Sequence, residues 1–222
     1  MKIKNTAKFK KIYDSSFLDY IQQKDGNFKT VKTKKGINFS SDYLEIFPKS
    51  MTLSPNEEGV FELTFKNKVT KTGEFLSYLA ILEKEHEEET KATATGGIQI
   101  KGQIRIAIPV ILRNGILSVG AEIKSAKLIE KNKQAMLKIK INRDGNKSIR
   151  GNLEILDGEN KIGMLNEFSI YTHIDSMEYS IPLSLNGKKL LKSDVKGKQL
   201  QINFTANPND EILLETSKQV QF

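Results

Sequence analysis

The chain has 222 residues, 38% hydrophobic and 28% charged, with no cysteine and a formal net charge of +8. That is the composition of an ordinary globular chain, long enough for one large or two small domains. It excludes disulfides, thiolate metal sites and cysteine nucleophiles, and no apolar run reaches the roughly 18 residues of a membrane-crossing helix. Met1-Lys-Ile-Lys-Asn-Thr carries none of the apolar run of a signal peptide.

The charge is unevenly spread. Residues 1–35 hold ten Lys against three Asp, a net of +7. Such a patch suits an anionic partner such as nucleic acid. It better suits solvated strand edges, where lysine blocks edge-to-edge pairing, since no aromatic-rich recognition motif accompanies it. The expectation is therefore strand edges, with no nucleic-acid partner and no membrane insertion.

In chain order, Lys8 to Ile21 is rich in aromatic and β-forming residues. Lys24-Asp25-Gly26-Asn27 supplies the positive φ of a tight turn, and Phe28 to Thr33 reads as the return strand. Asn38 to Pro48 leads into Met51 to Gly59, with a turn at Pro55-Asn56-Glu57. Val60 to Phe65 alternates as a strand. Gly73 to Leu82 is apolar on both faces near its end, as in a central strand. Glu83 to Lys91 is charged and reads as a solvated loop. His86 stands alone there, too few ligands for a metal site. Ala92 to Gly97 is small and leads into the most informative stretch.

From Gly97 to Arg113 every even position from Ile98 to Leu112 is apolar except Gly102: Ile98, Ile100, Ile104, Ile106, Ile108, Val110 and Leu112. The odd positions begin Gln99, Lys101, Gln103, Arg105, Ala107. Period 2 marks a strand with one wet and one buried face. Its reach is about 50 Å, against about 17–20 Å for ordinary strands. One small sheet does not cover that length. The surplus apolar edge needs a partner.

Asn114-Gly115 then reads as a hinge. Beyond it strands are expected at Leu117 to Ile123, Lys127 to Glu130, Ala135 to Ile141, Ser148 to Leu156, Ser169 to Thr172, Glu178 to Leu183, Gln199 to Phe204 and Glu211 to Glu215. A hairpin turn is expected at Arg143-Asp-Gly-Asn146 and another turn at Asp157-Gly158. Short strands with frequent turn signals and no 3.6-residue period give an all-β chain of two β-sandwiches. The expected domains are 1–114 and 115–222.

No catalytic or nucleotide-binding motif occurs. The two histidines, His86 and His173, lie in different halves. Carboxylate pairs such as Glu57-Glu58 and Asp210-Glu211 read as turn residues. No enzyme activity, cofactor or metal is expected. Function falls to binding through the long strand.

Several stretches, in order, resemble the periplasmic pilus chaperones of the chaperone–usher pathway, the PapD-like proteins. Tyr13 to Gly26 is similar to the family's second and third strands. Phe39 to Pro55 resembles its Ser…Tyr-Leu…Pro…Leu-x-Pro segment. Gly73-Glu74-Phe75-Leu76-Ser77-Tyr78-Leu79 resembles a Gly-Glu-Tyr-x-Ser-x-Leu strand of divergent members. Ile106 to Arg113 resembles the end of the long G1 strand, whose last residue is Arg. Arg143 to Gly151 resembles the second domain's opening hairpin.

The resemblance implies two immunoglobulin-like domains in an L shape, in the periplasm, and donor-strand complementation. The chaperone lends its G1 edge to a pilus subunit that lacks one strand, handing it on to an outer-membrane usher. Ile98, Ile100 and Ile104 are then the inserted side chains. Ile106 belongs with them as the last of the donor set and also opens the stretch to Leu112 assigned to the domain's own core. Three or four such groups contribute on the order of 5–10 kcal/mol when fully buried, before ordering costs. The family's first strand, with a basic anchoring residue, has no counterpart before Lys2-Ile-Lys-Asn5. Its anchoring Lys, four positions before the terminal Arg, is here Pro109. Lys101 or Arg105 is the substitute carboxylate anchor. Arg113 is expected in an interdomain ion pair, with Glu74 as its partner by analogy.

Three readings follow. An assembly chaperone caps immature subunits and self-dimerises through the same edge. A two-domain immunoglobulin-like structural or adhesive module has no pilin client and a covered edge. A nucleic-acid binder uses residues 1–35 with steep salt dependence.

Overall fold

The structure is a computed structural model, which describes residues 1–31, 37, 39–85, 103–207 and 214–222. It is built of antiparallel β-sheets and falls into two compact units. One is Met1–Tyr20 with Thr30–Gly115; the other is Ile21–Lys29 with Ile116–Phe222. The division expected between 114 and 115 differs from this chiefly in Ile21–Lys29, which groups with the second unit. Buried Gln22 explains that grouping: its Nε2 donates to the Ser169 carbonyl and its Oε1 accepts the Tyr171 N–H, each at 2.9 Å.

Along residues 1–115 the strands are β1 (Lys2–Lys4), β2 (Lys11–Leu18), β3 (Tyr20–Gln22), β4 (Phe28–Thr30), β5 (Leu44–Phe47), β6 (Ser50–Leu53), β7 (Glu58–Val60), β8 (Glu62–Phe65), β9 (Gly73–Glu85) and β10 (Arg105–Asn114). The main sheet runs β10-β9-β2-β6. β9 is internal, as its two-sided apolar sequence requires: Phe75, Leu76, Leu79, Ala80 and Ile81 are all buried. β1 pairs with β7, β3 with β4, and β5 with β8. The expected strand 60–65 is split at buried Phe61, whose N–H donates to the Met1 carbonyl at 2.8 Å. There the chain exchanges partner β1 for partner β5. The core gathers Tyr13, Ile46, Leu53, Phe61, Leu79 and Ile81, side chains drawn from the main sheet, from β5 and from Phe61 between β7 and β8.

The charged run after Leu82 departs from expectation. Glu83, Lys84 and Glu85 continue β9 and pair with Tyr13, Ile12 and Lys11 of β2. Their charge is accommodated by the Lys11–Glu83 ion pair at 3.3 Å and by Lys84 against Asp14. His86 and the rest of that run lie outside the described residues, as does the stretch from Gly97 to Gly102.

The second unit comprises β11 (Val119–Lys131), β12 (Gln134–Gly145), β13 (Ile149–Asp157), β14 (Asn160–Ile170), β15 (Ser176–Pro182), β16 (Ser184–Leu185), β17 (Lys188–Lys189), a helical turn α1 (Lys192–Val195), β18 (Gln199–Ala206) and β19 (Glu215–Gln221). Sheets β11-β12-β15 and β14-β13-β18-β19 enclose one core, with Leu137, Ile139 and Ile141 from one sheet and Leu153, Ile155, Ile202 and Phe204 from the other. This is a two-sheet sandwich. The expected hairpin at Arg143–Asn146 is instead a crossover, because β12 and β13 belong to different sheets. Buried Arg143 holds the bend: its guanidinium donates to the carbonyls of Ile174, Asp144, Gly145 and Lys147 at 2.8–3.2 Å. Among the described residues no helix is long and apolar enough to cross a membrane.

Candidate partner-binding strand

β10 stands at the edge of the main sheet, and among the described residues no strand pairs with its outer side. Its register against β9 runs unbroken from Arg105↔Leu82 to Asn114↔Gly73. The Glu83 N–H donates to the Ile104 carbonyl at 3.0 Å. In an antiparallel ladder the hydrogen-bonded pairs alternate. The even residues of β10 therefore exchange bonds with β9, and Arg105, Ala107, Pro109, Ile111 and Arg113 turn their main-chain groups to the open edge. Pro109, which has no N–H, occupies one of the outward positions, where an edge strand tolerates it.

The even side chains share the core face. Ile106 lies opposite Ile81, and Ile108 opposite Leu79, both core residues. Yet Ile104, Ile106 and Ile108 are 62%, 53% and 40% exposed. This corrects the assignment to the domain's own core for Ile106 and Ile108. Of the five even residues only Val110 packs against it, with Leu112 half-buried.

The stripe ends for a physical reason. A single 3-10 turn, Ser40–Asp42, closes over the strand at Val110: the Ser40 Oγ donates to the Val110 carbonyl at 3.0 Å. The turn is fastened by a buried polar cluster. The Ser41 N–H donates to the Ser77 Oγ at 3.0 Å, and the hydroxyls of Ser77 and Ser41 donate to the two oxygens of Asp19 at 2.6 and 2.9 Å. Tyr43 follows edge-on against Phe75, ring centroids 5.0 Å apart, and Phe75 lies opposite Leu112. Sequence reasoning missed this cluster. Its members are 22 and 36 residues from Ser41, a separation that no local pattern joins.

No protein-family model matches the chain, and no curated protein sequence does. Solved structures do resemble it. One is the class 5 fimbriae chaperone CfaA, with TM-score 0.52, 12% identity, and 100% of this chain and 91% of that one covered. Another comes from a chaperone–tip adhesin complex of CFA/I fimbriae biogenesis, with TM-score 0.51, 12% identity, and 98% and 89% coverage. This chain has the fold of the fimbrial chaperones.

In this fimbrial-chaperone fold β10 is the last strand of the first unit, which ends at Gly115. Ile98, Ile100 and Lys101 of the expected donor stretch lie outside the described residues. Arg105 is exposed at the start of β10, on the face opposite the isoleucines. Arg113 does pair with Glu74, Nε to Oε2 at 3.1 Å. Both residues sit in the first unit, directly opposite each other on β10 and β9, so the pair is not the interdomain bridge expected.

In the basic N-terminal stretch Lys2 pairs with Glu58 at 2.5 Å across β1 and β7, and holds that carboxyl below its ordinary value. Lys11, nearly buried, pairs with Glu83. Among the described residues no group of three or more metal-ligating side chains occurs.

Proposed function

We propose that this chain is a divergent PapD-like chaperone of the periplasm that binds and caps a pilus or fimbrial subunit by lending β10 as a donor strand. One observation carries the reading: Ile104, Ile106 and Ile108 lie on the core face of an edge strand yet are 40–62% exposed. Outward main-chain groups of the odd residues hold a partner's backbone, and the even side chains fill its groove. This is strand addition. Burying the exposed parts of three isoleucines contributes on the order of 3 kcal/mol from side chains alone, to which the ladder adds.

Ile98 and Ile100 continue the alternation and extend the donor set. Lys101 and Arg105 offer charge-assisted donors to a carboxylate on the subunit. The fold supports the reading, since the similar structures are fimbrial chaperones, one in complex with a tip adhesin. Self-pairing of two β10 edges when no subunit is present would use the same exposed strand, and an outer-membrane usher is a further partner of the proposed role.

The test is co-expression with an immunoglobulin-like pilus subunit lacking its final strand and encoded beside this chain. The subunit co-purifies with wild type. With Ile104→Asp plus Ile106→Asp it is lost while the melting temperature holds, because both side chains are already solvated. Retention of the subunit by the folded double variant overturns donor-strand binding. Absence of the subunit even from wild type favours a structural or adhesive module instead.

A further inference from the structure

We infer that Pro109 is a register stop, which fixes how far a partner strand runs along β10. The inference rests on the donor-strand reading above and goes beyond it, from which strand binds to where binding ends.

Three independent features coincide at this residue. The first is main-chain chemistry. The unbroken register of β10 on β9 and the Glu83–Ile104 bond put the backbone of residue 109 on the open edge. There a ladder needs a donor and proline supplies none. The positions before it, Arg105 and Ala107, each offer an N–H and a C=O to a partner.

The second feature is side-chain exposure. The apolar stripe is exposed at Ile104, Ile106 and Ile108 and becomes half-buried at Val110. The third is the 3-10 turn over Val110, held by the Ser40 hydroxyl and by the Asp19–Ser41–Ser77 cluster. A partner advancing toward Asn114 loses a main-chain bond at Pro109. At the same point it loses the apolar surface that rewards the advance.

A strand with period-2 side chains and no fixed end slides by two residues at little cost. Pro109 removes that freedom on the Asn114 side. The partner's paired segment ends against Ala107, and its apolar side chains are set against Ile104, Ile106 and Ile108. Pro109 therefore acts on specificity: it selects subunits whose groove ends within that span.

The test is amide hydrogen exchange on the complex with the pilus subunit used above, compared with the free chain. In wild type, binding slows exchange at Arg105 and Ala107 and leaves Ile111 and Arg113 unchanged. In Pro109→Ala, which restores a donor, the slowing spreads to the new amide at position 109 and on to Ile111. Slowing at Ile111 in wild type, or no spread in Pro109→Ala, overturns the register stop while leaving donor-strand binding intact. No slowing at Arg105 and Ala107 in a complex that does form overturns donor-strand binding itself.

Discussion

Arg113 and Glu74 face each other at the C-terminal end of β10 in the first unit's main sheet, Nε to Oε2 at 3.1 Å, with the Glu74 side chain wholly buried and that of Arg113 31% exposed. They occupy a non-hydrogen-bonded position of the β9–β10 ladder, where side chains stand closest. Removing the cation takes one charge-assisted donor away from a buried carboxylate. Arg113→Gln is expected to lower stability by about 2 kcal/mol, less than a fully buried pair because Arg113 is partly solvated. Arg113→Lys should recover part of this. Urea denaturation of the three proteins measures both effects.

The same strand provides a contrast between core and edge. Leu79 and Ile108 are cross-strand neighbours on one face, yet Leu79 is 3% exposed and Ile108 40%. Leu79→Ala should cost about 2–5 kcal/mol by cavity formation. Ile108→Ala should cost about 1 kcal/mol or less, the usual range of a partly solvated position. Equal losses in denaturation would return Ile108 to the core.

Acid stability has an identified contributor. The Asp14 carboxyl is held below its ordinary 3.8, first by its hydrogen bond with Lys84 and then by that from the Ser50 hydroxyl. A depressed carboxyl stabilises the fold above its unfolded pKa, and that contribution fades as pH falls through the folded value. Asp14 is partly exposed, so the effect is small, about 0.5 kcal/mol after solvent screening. Asp14→Asn should therefore lower the melting temperature at pH 7 slightly and make no difference near pH 2.

Gly151 in β13 has no room for a side chain: a Cβ there would stand 2.3 Å from the Thr205 carbonyl oxygen and 2.5 Å from the Phe204 ring. The backbone cannot yield without breaking the β13–β18 ladder. Gly151→Ala should cost about 2 kcal/mol or more. Gly158→Ala tests the other use of glycine. It has φ +60° with open space around it, so its penalty is conformational alone, about 1 kcal/mol.

What the sequence discloses and what it hides follow from locality. Alternation from Ile104 to Leu112 identifies the core face of β10, and the two-sided run at Phe75–Ile81 identifies an internal strand, because both are properties of consecutive residues. The turn chemistry of Asp157-Gly158 likewise marks the β13–β14 hairpin. How far the core cover extends along β10 is set by Ser40, seventy residues away, and no local pattern carries that. The crossover at Arg143 looks like a hairpin for the same reason: turn residues fix a bend, not the sheet the next strand joins. β14 escaped notice over Asn160–Glu167 because Gly163, Met164 and Asn166 dilute its alternation. Glu167 also takes a positive φ of 52°, its N–H bonded to the Asn152 Oδ1 at 2.9 Å.

The central claim is that the exposed face of β10 is where a partner binds, and the absence of cysteine allows a direct measurement. Ile106→Cys and, in the second unit, the exposed Met164→Cys each introduce a single thiol whose maleimide labelling rate reports its accessibility. Both should label quickly in the free chain. In the complex with a pilus subunit lacking its last strand, labelling at position 106 should be strongly slowed while that at 164 is unchanged. Equally fast labelling at 106 in a demonstrated complex would contradict donation of this strand.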